Sequence, residues 1–116
     1  MELSHSAIHA HKEKKMATRQ FSIPELLDSL LALTQELYSY ERAYTLASED
    51  FYTLFSQGKL DDGEPEQTED FCLWAGLYET KLAREQALRQ ASHKTVQRLL
   101  KTAESGKLHL SPQMAM

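Results

Sequence analysis

The side chains that could do chemistry in this chain are few, and their spacing fits no familiar catalytic or metal site. His5 and His9 stand four residues apart, a spacing that could hold a metal ion on a helix, but no cysteine or carboxylate set completes the ligands. The loop Asp61-Asp62-Gly63-Glu64 lacks the ligand spacing of an EF-hand and its final glutamate. No histidine is placed by sequence near Cys72 or a serine in a nucleophile motif. We therefore expect no enzyme, no cofactor and no metal.

The composition of the 116 residues predicts one small intracellular domain. Cys72 is the only cysteine, which excludes an intramolecular disulfide and fits a reducing cytosol; its place near Trp74 predicts a small buried side chain. No apolar run approaches the roughly 18 residues of a membrane span, and the start of the chain lacks the apolar core of a signal peptide. The expected protein is cytoplasmic, with no membrane segment.

The domain boundaries follow from where core-forming patterns begin and end. Residues 1–22, rich in histidine and lysine, are predicted to form a flexible tail. Residues 23–104 form a single helical domain, and residues 105–116 form a second flexible tail. Translation could start at Met1 or at Met16, and both starts remain open.

The first helix is predicted over residues 23–45. It begins with the capping box Ser22-Ile23-Pro24-Glu25, in which proline lies in the first turn and its missing N–H costs nothing. Apolar residues then alternate at spacings of four and three: Leu26, Leu30, Leu33, Leu37, Tyr40, Tyr44 and Ala47. Leu27, Leu31 and Tyr38 widen this stripe on one side, which is typical of a helix inside a bundle.

Two copies of one helix-start signal predict the remaining helices, over residues 49–57 and 69–103. Ser48-Glu49-Asp50-Phe51 and Thr68-Glu69-Asp70-Phe71 each combine a capping hydroxyl, two acidic first-turn residues and an apolar residue. Gly58 stands where a left-handed residue should end the short second helix. The expected fold is all-α, a long antiparallel helical hairpin with a short intervening helix.

The lengths of the helices indicate that a single chain does not complete this fold. The first helix would span about 30 Å and the third about 55 Å, which leaves part of the third helix without a neighbour. A lone hairpin also buries too little apolar surface to offset its conformational entropy comfortably. We therefore expect a homo-oligomer, or docking on another protein.

Charge is divided unevenly along the chain. Residues 25–70 hold twelve acidic and two basic residues, whereas residues 81–107 hold seven basic and two acidic residues. The two charges could attract the helices of one hairpin to each other, or each could meet a partner of the opposite charge. Glu85 and Arg89 could form a local ion pair or a specificity pair at a protein interface.

A basic cluster on the third helix raises the question of nucleic acid. Its members fall opposite the apolar stripe: Arg84, Lys94, Arg98 and Lys101. A solvated basic face explains them, and weak phosphate contact is the alternative. The chain lacks a helix-turn-helix and zinc-ligand spacing, so we expect no base-specific binding.

The middle of the chain carries an ordered set of aromatic and acidic residues. It reads Tyr40-Glu41-x-x-Tyr44, then Ser48-Glu49-Asp50-Phe51-Tyr52-x-x-Phe55-x-x-Gly58-x-Leu60-x-Asp62, then Asp70-Phe71-x-x-Trp74-Ala75-x-Leu77-Tyr78-Glu79. In this order it resembles a group of small bacterial proteins whose genes commonly lie beside a small toxin-like gene. The resemblance implies an antitoxin-like protein that binds and neutralises a toxin by direct contact.

Such an antitoxin needs exposed aromatic side chains and a charged surround. The predicted aromatic contacts are Phe51, Tyr52, Phe55, Trp74 and Tyr78. The predicted acidic contacts to a basic toxin surface are Asp61, Asp62, Glu64, Glu66, Glu69 and Asp70. Two alternatives remain: the same aromatics could close the core of the domain, and the protein could be a structural helical adaptor or subunit that forms a stable homo-oligomer without a toxin.

Overall fold

The fold is all-α, as predicted. The computed structural model describes residues 20–61, 63–103 and 106–113. Within these ranges three helices hold 76% of the residues, and no strand occurs. They are α1 (Ile23–Tyr44), α2 (Ser48–Ser56) and α3 (Pro65–Thr102).

The predicted capping box begins α1. The Ser22 hydroxyl accepts a hydrogen bond from the Glu25 backbone N–H at 3.2 Å, and the Ser22 N–H donates to the Glu25 carboxylate at 2.9 Å. Both groups would otherwise lack partners at the start of a helix. The helix ends at Tyr44 because Thr45 adopts a left-handed conformation, with φ 54°.

The two predicted S/T-E-D-F caps are wrong in detail. α2 begins at Ser48 itself, after Ala47, and no side chain caps it in the predicted way. Gly58 does follow the helix with a left-handed φ of 68°, as predicted. α3 begins at Pro65, because proline at a first helical position loses no hydrogen bond. Thr68 therefore lies inside the first turn, where its hydroxyl donates to the Glu64 carbonyl.

α1 and α3 pack antiparallel. Near the loop the Tyr44 hydroxyl donates to Asp70 at 2.9 Å, and at the open end the Arg84 guanidinium donates to the Ser29 hydroxyl at 3.1 Å. α2 lies over one side of the hairpin at the loop end, where the Phe51 ring stacks on Trp74 with centroids 3.8 Å apart. Three helices therefore meet only at that end.

The core is small and lies mainly at the loop end. Its buried hydrophobic residues are Leu26, Leu33, Leu37, Phe51, Trp74 and Ala75. The predicted flank of α1 is exposed: Leu27, Leu31 and Tyr38 are 52%, 62% and 55% exposed. Cys72 is exposed, so its predicted burial is wrong. It precedes Trp74 by two residues and so lies about 200° around the helix from the buried indole.

Candidate functional site

Two of the predicted aromatic contacts lie inside the core. Trp74 is 0% exposed and Phe51 is 1% exposed. The Trp74 ring lies between Phe51 on α2 and the rings of Tyr40 and Tyr44 on α1, whose centroids are 5.7 and 5.5 Å away. These two side chains hold the three helices together and present no surface to a second molecule.

A buried polar network fixes Trp74 in place. Its indole N–H donates to the Ser48 hydroxyl at 2.8 Å, and that hydroxyl donates to Glu41 at 2.6 Å. Glu41 also accepts from the Ser48 backbone N–H at 3.2 Å, so a residue of α1 satisfies a donor at the start of α2. This network was not predicted, although all three residues belong to the aromatic and acidic motif in the middle of the chain.

The other predicted aromatic contacts are half-buried at the surface. The Tyr52 hydroxyl donates to Glu79 at 2.6 Å, and the Tyr52 and Tyr78 rings pack with centroids 5.2 Å apart. The bond to Glu79 raises the pKa of Tyr52. Burial raises the pKa of Tyr78, and the negative charges of Glu49 and Glu85 raise it further. These tyrosines therefore keep their protons well into the alkaline range.

A cavity of about 160 Å³ opens where α2, the following loop and the start of α3 meet. It is lined by Phe55, Gly58, Leu60, Asp61, Thr68, Phe71 and Cys72. Its volume is close to the roughly 150 Å³ of an apolar cavity that admits a benzene ring. It can therefore take one aromatic or aliphatic side chain. The sequence signal for Leu60 was an apolar residue isolated in a polar loop.

Asp61 lines this cavity, and three more exposed carboxylates follow it within eight residues of the chain: Glu64, Glu66 and Glu69. Asp70 accepts a hydrogen bond from the Tyr44 hydroxyl. Burial of Tyr44 is the main reason that its pKa is raised, and this hydrogen bond raises the pKa further. Asp62, also predicted as a contact, lies outside the described residues. We call the cavity and its four exposed carboxylates the loop-end site. The negative charges of these carboxylates favour a cationic partner surface.

The predicted local ion pair between Glu85 and Arg89 is wrong. Glu85 pairs with Lys81 at 3.6 Å, and Arg89 donates to the Gln86 side chain at 2.7 Å. Glu85 reaches toward the preceding turn, which is the usual direction of helix side chains.

Arg84 does not belong to an outward basic face. Its guanidinium lies 4.6 Å from the centre of the Phe21 ring and bonds Ser29, because this part of α3 faces α1. Lys94, Arg98 and Lys101 are exposed, and the first two line a second cavity of about 390 Å³ beside the start of α1.

Within residues 20–61, 63–103 and 106–113, no group of histidine, cysteine, aspartate or glutamate side chains could hold a metal ion. His5 and His9 lie outside these ranges. No helix in the described part of the chain has both the length and the apolar character needed to cross a membrane.

Comparisons with protein-family models, with curated proteins and with solved structures gave no match. The resemblance to antitoxin-like proteins therefore rests on the motif residues alone.

Proposed function

We propose that this chain binds a basic, toxin-like protein at the loop-end site and neutralises it by covering its surface. The observation that carries the proposal is a cavity of about 160 Å³ that is lined by Phe55, Leu60, Phe71 and the exposed acid Asp61. Strong protein contacts commonly combine one side chain seated in a pocket with a charged surround that speeds association. No catalytic step is needed, because an occluded toxin cannot reach its substrate.

The residues of the motif divide into two roles under this proposal. Glu41, Ser48 and Trp74 hold α1, α2 and α3 in place through hydrogen bonds of 2.6–3.2 Å. Phe55 and Phe71 form walls of the cavity, which accepts an apolar side chain of the toxin. The rim carboxylates pair with its lysine and arginine side chains.

Co-expression with the product of the neighbouring gene tests the proposal. We expect that product to stop growth when expressed alone, and the full chain to restore growth and to co-purify with it. If the product is harmless alone and does not bind, the antitoxin proposal fails. The structural adaptor, a homo-oligomer without a toxin, then takes its place.

Two variants locate the contact. Cys72→Phe places a ring at the lining of the cavity, at an exposed position that the core does not use. Asp61→Lys reverses one rim charge. Each should weaken toxin binding by at least about tenfold while helicity and melting temperature stay unchanged.

Asp28→Lys is the matched control, because Asp28 is an exposed acid on α1 near the opposite end of the hairpin. It changes the net charge by the same amount as Asp61→Lys and should leave binding nearly unchanged. Equal loss of binding in both lysine variants would show that net charge, rather than the loop-end site, determines the contact.

A further inference from the structure

The cavity of about 390 Å³ lies at the open end of the hairpin, away from the loop-end site. Its α3 wall follows helical spacing along one face of that helix: Ala87, Gln90, Ala91, Lys94, Thr95 and Arg98. The other wall comes from the start of α1 and the residues just before it, among them Phe21, Ile23 and Leu26. We call this space the open-end cavity. Its volume falls within the roughly 300–1,000 Å³ of pockets that bind small molecules.

The interior of the open-end cavity is largely apolar. Leu26, which is 1% exposed, lies among its lining residues together with Phe21, Ile23, Ala87 and Ala91. Because an alanine side chain is a single methyl group, Ala87 and Ala91 leave the space between α3 and the start of α1 unfilled. An apolar ligand group gains free energy when it leaves water for such a lining.

The wall that includes Phe21 is held in place by neighbouring side chains. The Arg84 guanidinium lies 4.6 Å from the centre of the Phe21 ring and also donates to the Ser29 hydroxyl. Ser22, the next residue, is fixed by its two hydrogen bonds with Glu25, of 2.9 and 3.2 Å. A wall that is already formed loses little conformational entropy when a ligand binds.

The charged side chains of the lining are both cations. Lys94 and Arg98 are exposed and stand four residues apart, about one turn of α3. No aspartate or glutamate of the described part of the chain lines the cavity. Among residues 20–61, 63–103 and 106–113, neither cation has a hydrogen-bond or ion-pair partner. Like charges at this spacing repel each other, and an anion placed between them removes that repulsion.

We propose that the open-end cavity binds a small amphipathic anion, an aliphatic or aromatic body that carries one carboxylate, sulfonate or phosphate group. The body lies against Leu26, Ala87 and Ala91, and the anionic group lies at the mouth between Lys94 and Arg98. The bound molecule joins the start of α1 to α3 at the end of the hairpin that α2 does not reach. The inference does not depend on the proposed toxin, because the open-end cavity shares no lining residue with the loop-end cavity.

Decanoate, titrated into the ¹⁵N-labelled full chain below its micelle concentration, tests the site. We expect saturable changes in amide chemical shift that concentrate at residues 20–26 and 87–98 and leave the Trp74 indole N–H unchanged. The melting temperature should rise with decanoate concentration, because the ligand binds the folded chain. Decanol, which lacks the charge, and inorganic phosphate, which lacks the apolar body, should each bind at least about threefold more weakly.

Three variants locate the ligand. Lys94→Gln and Arg98→Gln should each weaken decanoate binding by about threefold, the effect of one partly exposed ion pair, and together by about tenfold. Ala91→Leu fills the cavity without a change of charge and should abolish binding, while the melting temperature stays the same or rises.

Lys101→Gln is the matched control, because it removes the same charge from the same exposed end of α3 but Lys101 does not line the cavity. It should leave decanoate binding nearly unchanged. Circular dichroism must show the same helicity for every variant.

Several outcomes would overturn the inference. They are a full chain that binds no decanoate up to the micelle limit, shift changes that concentrate at other residues, or decanol or phosphate binding as tightly as decanoate. An equal loss of binding in Lys101→Gln and in the two cavity-lining charge variants would assign the effect to the overall charge of α3, and would also overturn it.

Discussion

At the scale of single residues, Trp74 lies in the core, although the sequence motif also allowed it to lie at an interface. An aromatic motif favours an interface and a core equally well, because large rings stabilise both. What decides between them is the side chains opposite, and the sequence does not place these. The structure surrounds Trp74 with Phe51, Tyr40 and Tyr44, and its indole N–H bonds Ser48.

Ser48→Ala should lower the free energy of unfolding by about 1–3 kcal/mol, because it leaves the buried Trp74 N–H without an acceptor and leaves Glu41 only the Ser48 backbone N–H. Urea denaturation measures the change. Ser39→Ala is the matched control: Ser39 is exposed in the middle of α1, so the change should stay within about 0.5 kcal/mol. Equal effects at the two serines would contradict the role of the network.

Tyr44 makes stability depend on alkaline pH. Burial and the bond to Asp70 raise its pKa above the ordinary value of 10.0. The proton is therefore held more tightly in the folded chain, and the contribution to stability is complete below pH 10.0 and falls as pH rises through the raised pKa. Tyr44→Phe should flatten this alkaline loss of stability, measured as the urea midpoint against pH. An identical pH profile in the variant would refute the contribution of Tyr44.

At the scale of helices, sequence signals worked where the physics is local. The Ser22–Glu25 box and Gly58 depend on neighbouring residues, and both were predicted correctly. The caps at Ser48 and Thr68 failed because distant or competing groups decided them. The Ser48 hydroxyl donates to Glu41 instead of capping α2. α3 begins at Pro65, about one turn before the predicted start at residue 69.

Replacing glycine by alanine should have opposite effects on stability at two positions, Gly58 and Gly76. Gly58 has a φ of 68°, where an added Cβ is strained, so Gly58→Ala should cost about 1–2 kcal/mol. Gly76 lies inside α3 with nothing within 4 Å of an added Cβ. Gly76→Ala should stabilise the protein by about 0.5–1 kcal/mol. Thermal unfolding followed by circular dichroism measures both, and shifts of the same sign would contradict the expected opposite effects at Gly58 and Gly76.

At the scale of the whole molecule, the hairpin is unevenly supported. The loop end joins three helices around Trp74, whereas the far end of α3 extends past Ile23 without α1 beside it. Helix lengths predicted this overhang correctly. The loop-end cavity could not be predicted, because it depends on how Phe55, Leu60 and Phe71 from three segments come together.

Hydrogen exchange along α3 should report this difference in support. Amides near Trp74 and Ala75, which are 0% and 4% exposed, should be the most protected, because opening there requires the three helices to separate. Amides from Val96 to Thr102 should exchange faster in dilute solution, since α1 does not reach them. Uniform protection along α3 would contradict this difference in support between its two ends.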